Sequence, residues 1–77
     1  MNLRIQNHLK ATVRYRPSAL VEAREAAGLT QVEVASLLGI PRQRISEYET
    51  DGGKTPRFET AARLAVALGI PVETLVR

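Results

Sequence analysis

The sequence predicts an all-α domain preceded by an extended N-terminal arm, and two observations lead to this prediction. From Pro17 onward, apolar residues recur at the three- and four-residue spacing of amphipathic helices, with glycines between the apolar runs. From Leu3 to Tyr15, apolar and polar residues alternate almost throughout, which is typical of an extended strand. We therefore divide the 77 residues into an arm, residues 1–16, and a helical domain, residues 17–77.

The arm is the basic part of the chain. It contains four basic residues and no acid, whereas the rest of the chain holds seven basic and eight acidic residues. The four basic residues are Arg4, Lys10, Arg14 and Arg16. Such an arm suits a polyanionic partner, although a merely solvated arm has the same composition. Because a lone strand cannot satisfy its own backbone hydrogen bonds, the arm needs a partner strand, from either its own hairpin or a second protomer.

The composition excludes several classes of site. The chain has no cysteine, so disulfides and thiolate metal sites are excluded, and its only histidine, His8, cannot form a metal site alone. No apolar run approaches the roughly 20 residues of a membrane span, and no signal peptide is visible. There is no glycine-rich phosphate loop, and Glu47 and Glu49 point in different directions from one helix. We therefore expect a cytoplasmic protein that is not an enzyme and has no metal or cofactor.

Capping and termination signals place the first two helices. The first begins at Pro17 or Ser18 and ends at Gly28. Thr30-Gln31-Val32-Glu33 is a capping box, in which the threonine and glutamate side chains bind each other's backbone amides, and it opens the second helix. Gly39 ends that helix.

Three further helices complete the predicted domain. The third begins near Pro41 or Arg42 and runs to about Thr50, the fourth covers Phe58 to Leu68, and a short fifth helix begins at Pro71. The residues of the fourth helix predicted to face the core are Phe58, Ala61, Leu64, Ala65 and Leu68.

The segment 31–49 is the most informative part of the chain. Its two short helices are separated only by Gly39-Ile40-Pro41, which is too short for an antiparallel hairpin, so the helices must cross steeply. The crossing needs a small residue where the helices approach, which is Ala35, and an aliphatic residue that fills the gap, which is Ile45. The turn needs a residue that tolerates left-handed dihedral angles, which is Gly39.

At these positions the chain resembles the Cro and repressor (XRE-type) helix-turn-helix family of phage and bacterial regulators. The resemblance runs over roughly residues 20–75 and includes the Gly28-Leu29-Thr30-Gln31 segment, Tyr48-Glu49 and the Ala67-Leu68-Gly69-Ile70 ending. It implies a compact, lambda-repressor-like domain of five helices that regulates transcription, most simply as a repressor. Its recognition helix, which starts at Arg42, would read double-stranded operator DNA in the major groove.

The resemblance also implies which residues contact DNA. Arg42, Gln43 and Arg44 begin the recognition helix; arginine can bind guanine O6 and N7, and glutamine can bind adenine N6 and N7. The other residues implied to contact DNA are Thr30, Gln31, Ser46, Glu47, Lys54 and Arg57. Among these, Glu47 either accepts a hydrogen bond from cytosine N4 or repels mismatched DNA.

Two structural contacts follow from the same resemblance. Arg24 and Glu49 match a family ion pair between the first and third helices, so we expect Arg24 to support the fold and not to touch DNA. The family binds palindromic operators as homodimers, with recognition helices about 34 Å apart. The dimer interface implied here consists of Pro56, Phe58, Ile70 and Val72. The N-terminal strands could also pair between protomers.

Two alternatives remain open. In one, the protein is an antitoxin that neutralises a partner protein, a toxin, and binds DNA only to regulate its own synthesis. The arm would then form the partner surface together with Val32 and Leu37, which are apolar where the family is normally polar. In the other alternative, the arm is a basic tail that reaches into the minor groove. The chain also departs from the family at Pro41, Arg57 and Pro71, where a serine or threonine cap is usual.

Overall fold

The computed structural model describes residues 14–76, which form four α-helices and one 3₁₀ helix. In chain order these are α1 (Pro17–Ala26), α2 (Gln31–Leu38), α3 (Arg42–Tyr48), α4 (Phe58–Leu68) and the 3₁₀ helix (Val72–Leu75). The prediction of an all-α domain is confirmed. Residues 1–13, which make up most of the predicted arm, lie outside the described residues, as does Arg77. Within the described part, no helix is long and apolar enough to cross a membrane.

The first two helices begin and end where the local signals predict. Pro17 is the first residue of α1, and the chain leaves the helix through Gly28, whose φ is +72°. The capping box of α2 is complete: the Glu33 amide donates to the Thr30 hydroxyl oxygen at 3.1 Å, and the Thr30 amide donates to a Glu33 carboxylate oxygen at 2.8 Å. Local hydrogen bonding therefore defines the start of the helix that leads into the turn at Gly39.

The third helix is shorter than predicted, because it ends at Tyr48 and not near Thr50. After it, the Thr50 hydroxyl donates to the Ser46 carbonyl at 2.8 Å, and the Gly53 amide donates to the Thr50 carbonyl at 2.9 Å. A side chain at Gly53 would clash with the backbone carbonyls of Glu47 and Thr50. The chain therefore turns back tightly against the end of α3, and only glycine fits at position 53.

The prediction that Phe58 faces the core is wrong. Phe58 is 67% exposed, whereas the core row of α4 consists of Ala61, Leu64, Ala65 and Leu68. The physical reason is the register of the helix, since Phe58 lies on the neighbouring row of i and i+4 positions with Ala62 and Val66. Val66 on this row is 81% exposed.

The predicted fifth helix is a 3₁₀ helix of four residues, not an α-helix. In this helix the Thr74 amide donates to the Pro71 carbonyl at 3.0 Å, and the Leu75 side chain is completely buried. The chain then becomes extended at Val76, which forms an isolated antiparallel bridge with Tyr15. This segment is too short for the i to i+4 bonds of a stable α-helix and is held by tertiary contacts.

Each of the five helical segments contributes one fully buried aliphatic side chain to the core. These side chains are Leu20, Val34, Ile45, Leu64 and Leu75, each with 0% of its surface exposed. Burial of such a side chain is worth about 1.5–3 kcal/mol relative to leaving it exposed. Within residues 14–76, every buried side-chain nitrogen or oxygen atom has a hydrogen-bond partner.

Candidate nucleic-acid interface

The turn between α2 and α3 directs the start of α3 away from the core. Gly39 has φ +70° and ψ +33°, and the Ile40 amide donates to the Ala35 carbonyl at 3.0 Å, which closes the end of α2. Pro41 is then extended and precedes Arg42, the first residue of α3. Ala35 and Ile45 are 4% and 0% exposed at the crossing, as the sequence predicts.

The start of α3 is exposed to solvent along its whole polar side. Arg42, Gln43 and Arg44 are all exposed, whereas Ser46 and Glu47, one turn later, are half-buried. Arg44 Nε lies 3.3 Å from Glu47 Oε1, which forms an ion pair between positions i and i+3. Three long side chains that can donate hydrogen bonds therefore project from one short helix end.

A chain of hydrogen bonds links α1 to this exposed helix end through Glu49. Arg24 donates to Glu49 through Nε at 2.6 Å and Nη2 at 3.1 Å, and its Nη1 donates to the Leu29 carbonyl at 2.8 Å. Gln31 Nε2 also donates to Glu49, at 2.9 Å. Because a carboxylate only accepts, this contact turns Gln31 Oε1 outward, where it accepts from Arg42 Nη1 at 3.1 Å. The ion pair thus orients Gln31, and Gln31 orients Arg42.

The ion pair favours the charged form of Arg24. The hydrogen bond to Glu49 is the main cause that raises the pKa of Arg24 above its ordinary value, and burial acts in the opposite direction. The two side chains are 14% and 6% exposed. Arg24 is therefore largely buried and bound to Glu49 and to the Leu29 carbonyl.

Two basic residues of the following loop lie beside α3. One concave surface is lined by Arg44, Lys54 and Arg57, together with Tyr48, Thr55 and Thr60. A smaller adjacent concavity is lined by Pro41, Gln43, Arg44, Glu47 and Lys54. Lys54 and Arg57 are exposed. The structure thus places both bases next to Arg44, although they follow it by at least ten positions in the chain.

Hydrogen bonds and shared concavities join the residues predicted to contact DNA, apart from Ser46, into one surface. It runs from Thr30 and Gln31 at the start of α2, through Arg42 at the start of α3, to Arg57 beyond the loop. Within this surface the Thr30 hydroxyl oxygen is already used in capping, and Gln31 is half-buried by its contacts. Glu47 is half-buried as well, and the remaining members are exposed, namely Arg42, Gln43, Arg44, Lys54 and Arg57.

One contact to α3 was not predicted from the sequence. The Tyr15 hydroxyl donates to the carbonyl of Tyr48, the last residue of α3, at 2.6 Å. Burial is the main cause that raises the pKa of Tyr15, and the charge of Glu49 adds to it, so the phenol stays protonated as a donor. The Arg16 amide donates to the Leu75 carbonyl at 2.8 Å and holds this stretch in place. The alternating pattern around Tyr15 gave no signal for a contact 33 positions away.

The four residues predicted for a dimer interface differ in exposure. Pro56 is buried within the protomer, so its side chain is unsuited to a contact with another protomer. Ile70 and Val72 are half-buried against the core, and Phe58 is exposed. Of the predicted set, Phe58 offers the most apolar surface.

Apolar side chains also lie on the surface formed by α2 and α4. Val32 and Leu37 are 59% and 60% exposed. Both are apolar at positions where the family normally has exposed polar residues. Leu37 and Val66 line a shallow groove between the two helices, whose other members are Leu38, Ala62, Arg63 and Ala67. The Arg63 guanidinium donates to the Leu38 carbonyl at 2.6 Å across this groove.

Two short helices joined by a three-residue turn at Gly39, with the polar start of the second exposed beside basic loop residues, define a helix-turn-helix DNA-binding domain. The family model described as helix-turn-helix matches residues 20–75. The chain belongs to this family, the XRE-type helix-turn-helix transcription regulators.

A solved structure has the same fold. The crystal structure of SinR, the master regulator for biofilm formation, in complex with DNA aligns with a TM-score of 0.71 and 20% sequence identity. The alignment covers 78% of this chain and 98% of the SinR chain. A comparison with curated proteins found no match.

Proposed function

We propose that this protein regulates transcription by binding a specific double-stranded DNA sequence with α3. The observation that supports this most strongly is the exposed start of α3, where Arg42, Gln43 and Arg44 project from a helix that is anchored by the buried Ile45. SinR, which shares the fold, was crystallised in complex with DNA. A helix of this kind fits the major groove, which displays a distinct pattern of donors and acceptors for each base pair.

The exposed side chains of α3 are assigned different contacts with DNA. Gln43 is assigned to adenine, because its amide can donate to N7 and accept from N6. Arg44 is assigned to guanine, because its guanidinium can donate to both O6 and N7. Arg42 is held by Gln31 and lies at the edge of the surface, where it suits a phosphate or the outermost base. In this arrangement Gln43 and Arg44 contact the bases, and Arg42 lies to one side of them.

Residues around α3 supply contacts to the DNA backbone. Lys54 and Arg57 line the concave surface beside Arg44 and can neutralise phosphates on one strand. The hydroxyl groups of Thr30 and Ser46 can donate hydrogen bonds to phosphate oxygens. The backbone amides at the start of α2 also attract phosphate. Such contacts fix the register of the protein on the duplex without reading its sequence.

We further propose that two protomers bind a palindromic operator and repress by occupying it. Two recognition helices would then lie about 34 Å apart, one turn of the duplex. Phe58, Ile70 and Val72 form the proposed dimer contact, because Phe58 is 67% exposed and the resemblance to the family implies the other two. The N-terminal arms can add an intermolecular sheet.

A second candidate function is that of an antitoxin, and the exposed apolar side chains on α2 and α4 favour it. Val32, Leu37 and Val66 are each more than half exposed, and such residues often mark contacts with another protein. In this case DNA binding through α3 would serve autoregulation. Co-purification of a stoichiometric toxin, lost on the substitutions Leu37→Ser and Val66→Ser, would support this candidate.

Selection of binding sites from random duplex DNA tests the main proposal. We expect enrichment of one sequence with two-fold symmetry and a footprint of two half-sites separated by one helical turn. The variant Gln43→Ala/Arg44→Ala should not enrich this sequence, whereas the control Arg63→Gln, which removes a charge outside the surface, should enrich it normally. Failure of the wild-type protein to enrich any sequence would contradict the proposal.

Deletion of residues 1–13 then assigns the role of the arm. If the arm contacts phosphates, the dependence of affinity on salt becomes shallower. If it only pairs protomers, DNA affinity becomes more dependent on protein concentration while the salt dependence per half-site is kept.

A further inference from the structure

Glu47 is an acidic residue in the middle of a surface that is otherwise basic or neutral. It lines the same concavity as Gln43, Arg44 and Lys54, and its carboxylate lies 3.3 Å from Arg44 Nε. The two side chains are 45% and 32% exposed for Arg44 and Glu47, respectively, so both reach the outer surface of α3. A carboxylate in this position repels DNA phosphates and therefore lowers the affinity of the surface for DNA in general.

Stability of the helix does not account for this pair. Arg44 precedes Glu47 in the helix, so the base lies near the N-terminus and the acid lies toward the C-terminus. This order is the reverse of the one that the helix dipole favours. Exposed ion pairs of this kind also add little to folding. The pair must therefore be explained by what it does to the exposed arginine.

The contact determines which part of the guanidinium remains available. The Glu47 carboxylate lies against Nε of Arg44 as an ion pair, and within residues 14–76 the terminal nitrogens Nη1 and Nη2 of Arg44 have no hydrogen-bond partner. These two nitrogens form an end-on fork that matches O6 and N7 of guanine. With Nε held at the side, the guanidinium has fewer orientations in which it can turn toward a phosphate.

We propose that Glu47 is a positioning residue that makes Arg44 selective for guanine and weakens binding to unrelated DNA. This inference rests on the proposed function, because it assigns a specificity to the same surface. It differs from a direct contact between Glu47 and cytosine, in which the carboxylate would read a base independently of Arg44.

The test compares variants on the sequence selected by the wild-type protein. Affinities are measured for that sequence, for versions carrying each other base at every guanine in turn, and for versions carrying 7-deazaguanine, which lacks the N7 acceptor. The proteins are wild type, Glu47→Ala, Glu47→Gln, Arg44→Ala and the double variant Arg44→Ala/Glu47→Ala. Glu22→Ala is the matched control, since it removes an exposed acid from α1. Melting curves of each variant check the fold.

We expect Glu47→Ala to reduce discrimination at one guanine by about tenfold, within the range of a single bidentate contact. Glu47→Gln, which keeps a polar oxygen beside Nε without the charge, should retain part of this discrimination. Both variants should bind unrelated duplex DNA several-fold more tightly, and Glu22→Ala should do neither. In the Arg44→Ala background, removal of Glu47 should no longer change discrimination at that guanine.

Two results would overturn the inference while leaving the proposed function intact. One is unchanged guanine discrimination in Glu47→Ala. The other is a loss of discrimination that persists in full without Arg44, which would show a direct contact between Glu47 and a base. If the wild-type protein selects no DNA sequence at all, the proposed function and this inference both fail.

Discussion

Arg24 and Glu49 are joined by an ion pair with an Nε to Oε2 distance of 2.6 Å, and this contact connects α1 to the residue that follows the recognition helix α3. Glu49 also accepts from Gln31, which in turn accepts from Arg42 on the proposed DNA-binding surface. A single carboxylate therefore contributes both to the fold and to the position of a side chain that we assign to DNA.

The first prediction concerns the stability of this pair. Glu49→Ala should lower the free energy of unfolding by about 3 kcal/mol, because it leaves the Arg24 charge without its partner in a site that is largely buried. Urea denaturation of Glu49→Ala, Arg24→Ala and the double variant measures the loss. The double variant should be more stable than the sum of the single effects predicts. Strict additivity would show that the two residues act independently.

The second prediction separates binding from folding at Gln31. Gln31→Ala should cost only about 1 kcal/mol of stability, the typical net value of a hydrogen bond. DNA affinity should fall as well, since Arg42 loses the acceptor that orients it. Melting curves and fluorescence anisotropy on the selected site measure the two effects. In an Arg42→Ala background the effect of Gln31→Ala on affinity should shrink; an undiminished effect would mean that Gln31 acts on DNA directly.

The third prediction compares two glycines that are required for different reasons. Gly39→Ala should cost about 1–2 kcal/mol, because φ is +70° there while a side chain would meet nothing within 4 Å. Gly53→Ala should cost about 1–3 kcal/mol through overpacking, because the added carbon meets the backbone carbonyls of Glu47 and Thr50. Urea denaturation measures both. Gly39→Asn serves as the control, since asparagine tolerates left-handed dihedral angles and should lose less than alanine. Equal stability of Gly39→Ala and wild type would contradict the assigned strain.

The fourth prediction concerns Tyr15 and pH. Tyr15→Phe should lower stability at pH 7 by about 1 kcal/mol, because the hydrogen bond to the Tyr48 carbonyl is lost. The pKa of Tyr15 is raised in the folded protein above its ordinary value of 10.0, so the folded state keeps a proton that the unfolded state releases. The stabilisation is therefore present below pH 10 and declines as the pH rises above it.

Thermal melts from pH 7 to pH 11 check this sign. The difference in stability between wild type and Tyr15→Phe should narrow above pH 10, since phenylalanine does not titrate. A difference that stays constant over the whole range would contradict the role assigned to the phenol.

Much of the fold could be predicted because its signals are local. The capping box at Thr30 and Glu33, the left-handed turn at Gly39 and the burial of Ala35 and Ile45 all depend on neighbours within a few positions. The exposed helix start at Arg42 follows from the same turn. These elements contain the geometry of the helix-turn-helix, so the candidate site was visible in the sequence.

Other features depend on tertiary contacts that a single sequence does not display. Phe58 was misplaced because periodicity alone did not distinguish two adjacent rows of α4, and the tertiary packing selects the row of Leu64. The contact of Tyr15 with Tyr48 joins positions far apart in the chain, and it emerges only in three dimensions. The 3₁₀ geometry after Pro71 likewise reflects packing of Leu75 into the core.

The most direct test of the account is the affinity of the variant Gln43→Ala/Arg44→Ala for the selected operator, measured by fluorescence anisotropy beside wild type and the control Arg63→Gln. We expect the double variant to lose about 1–3 kcal/mol of binding free energy for each missing base contact, with an unchanged melting temperature. Arg63→Gln should bind like wild type. Unchanged operator affinity in a folded double variant would contradict the assignment of the start of α3 as the surface that reads DNA.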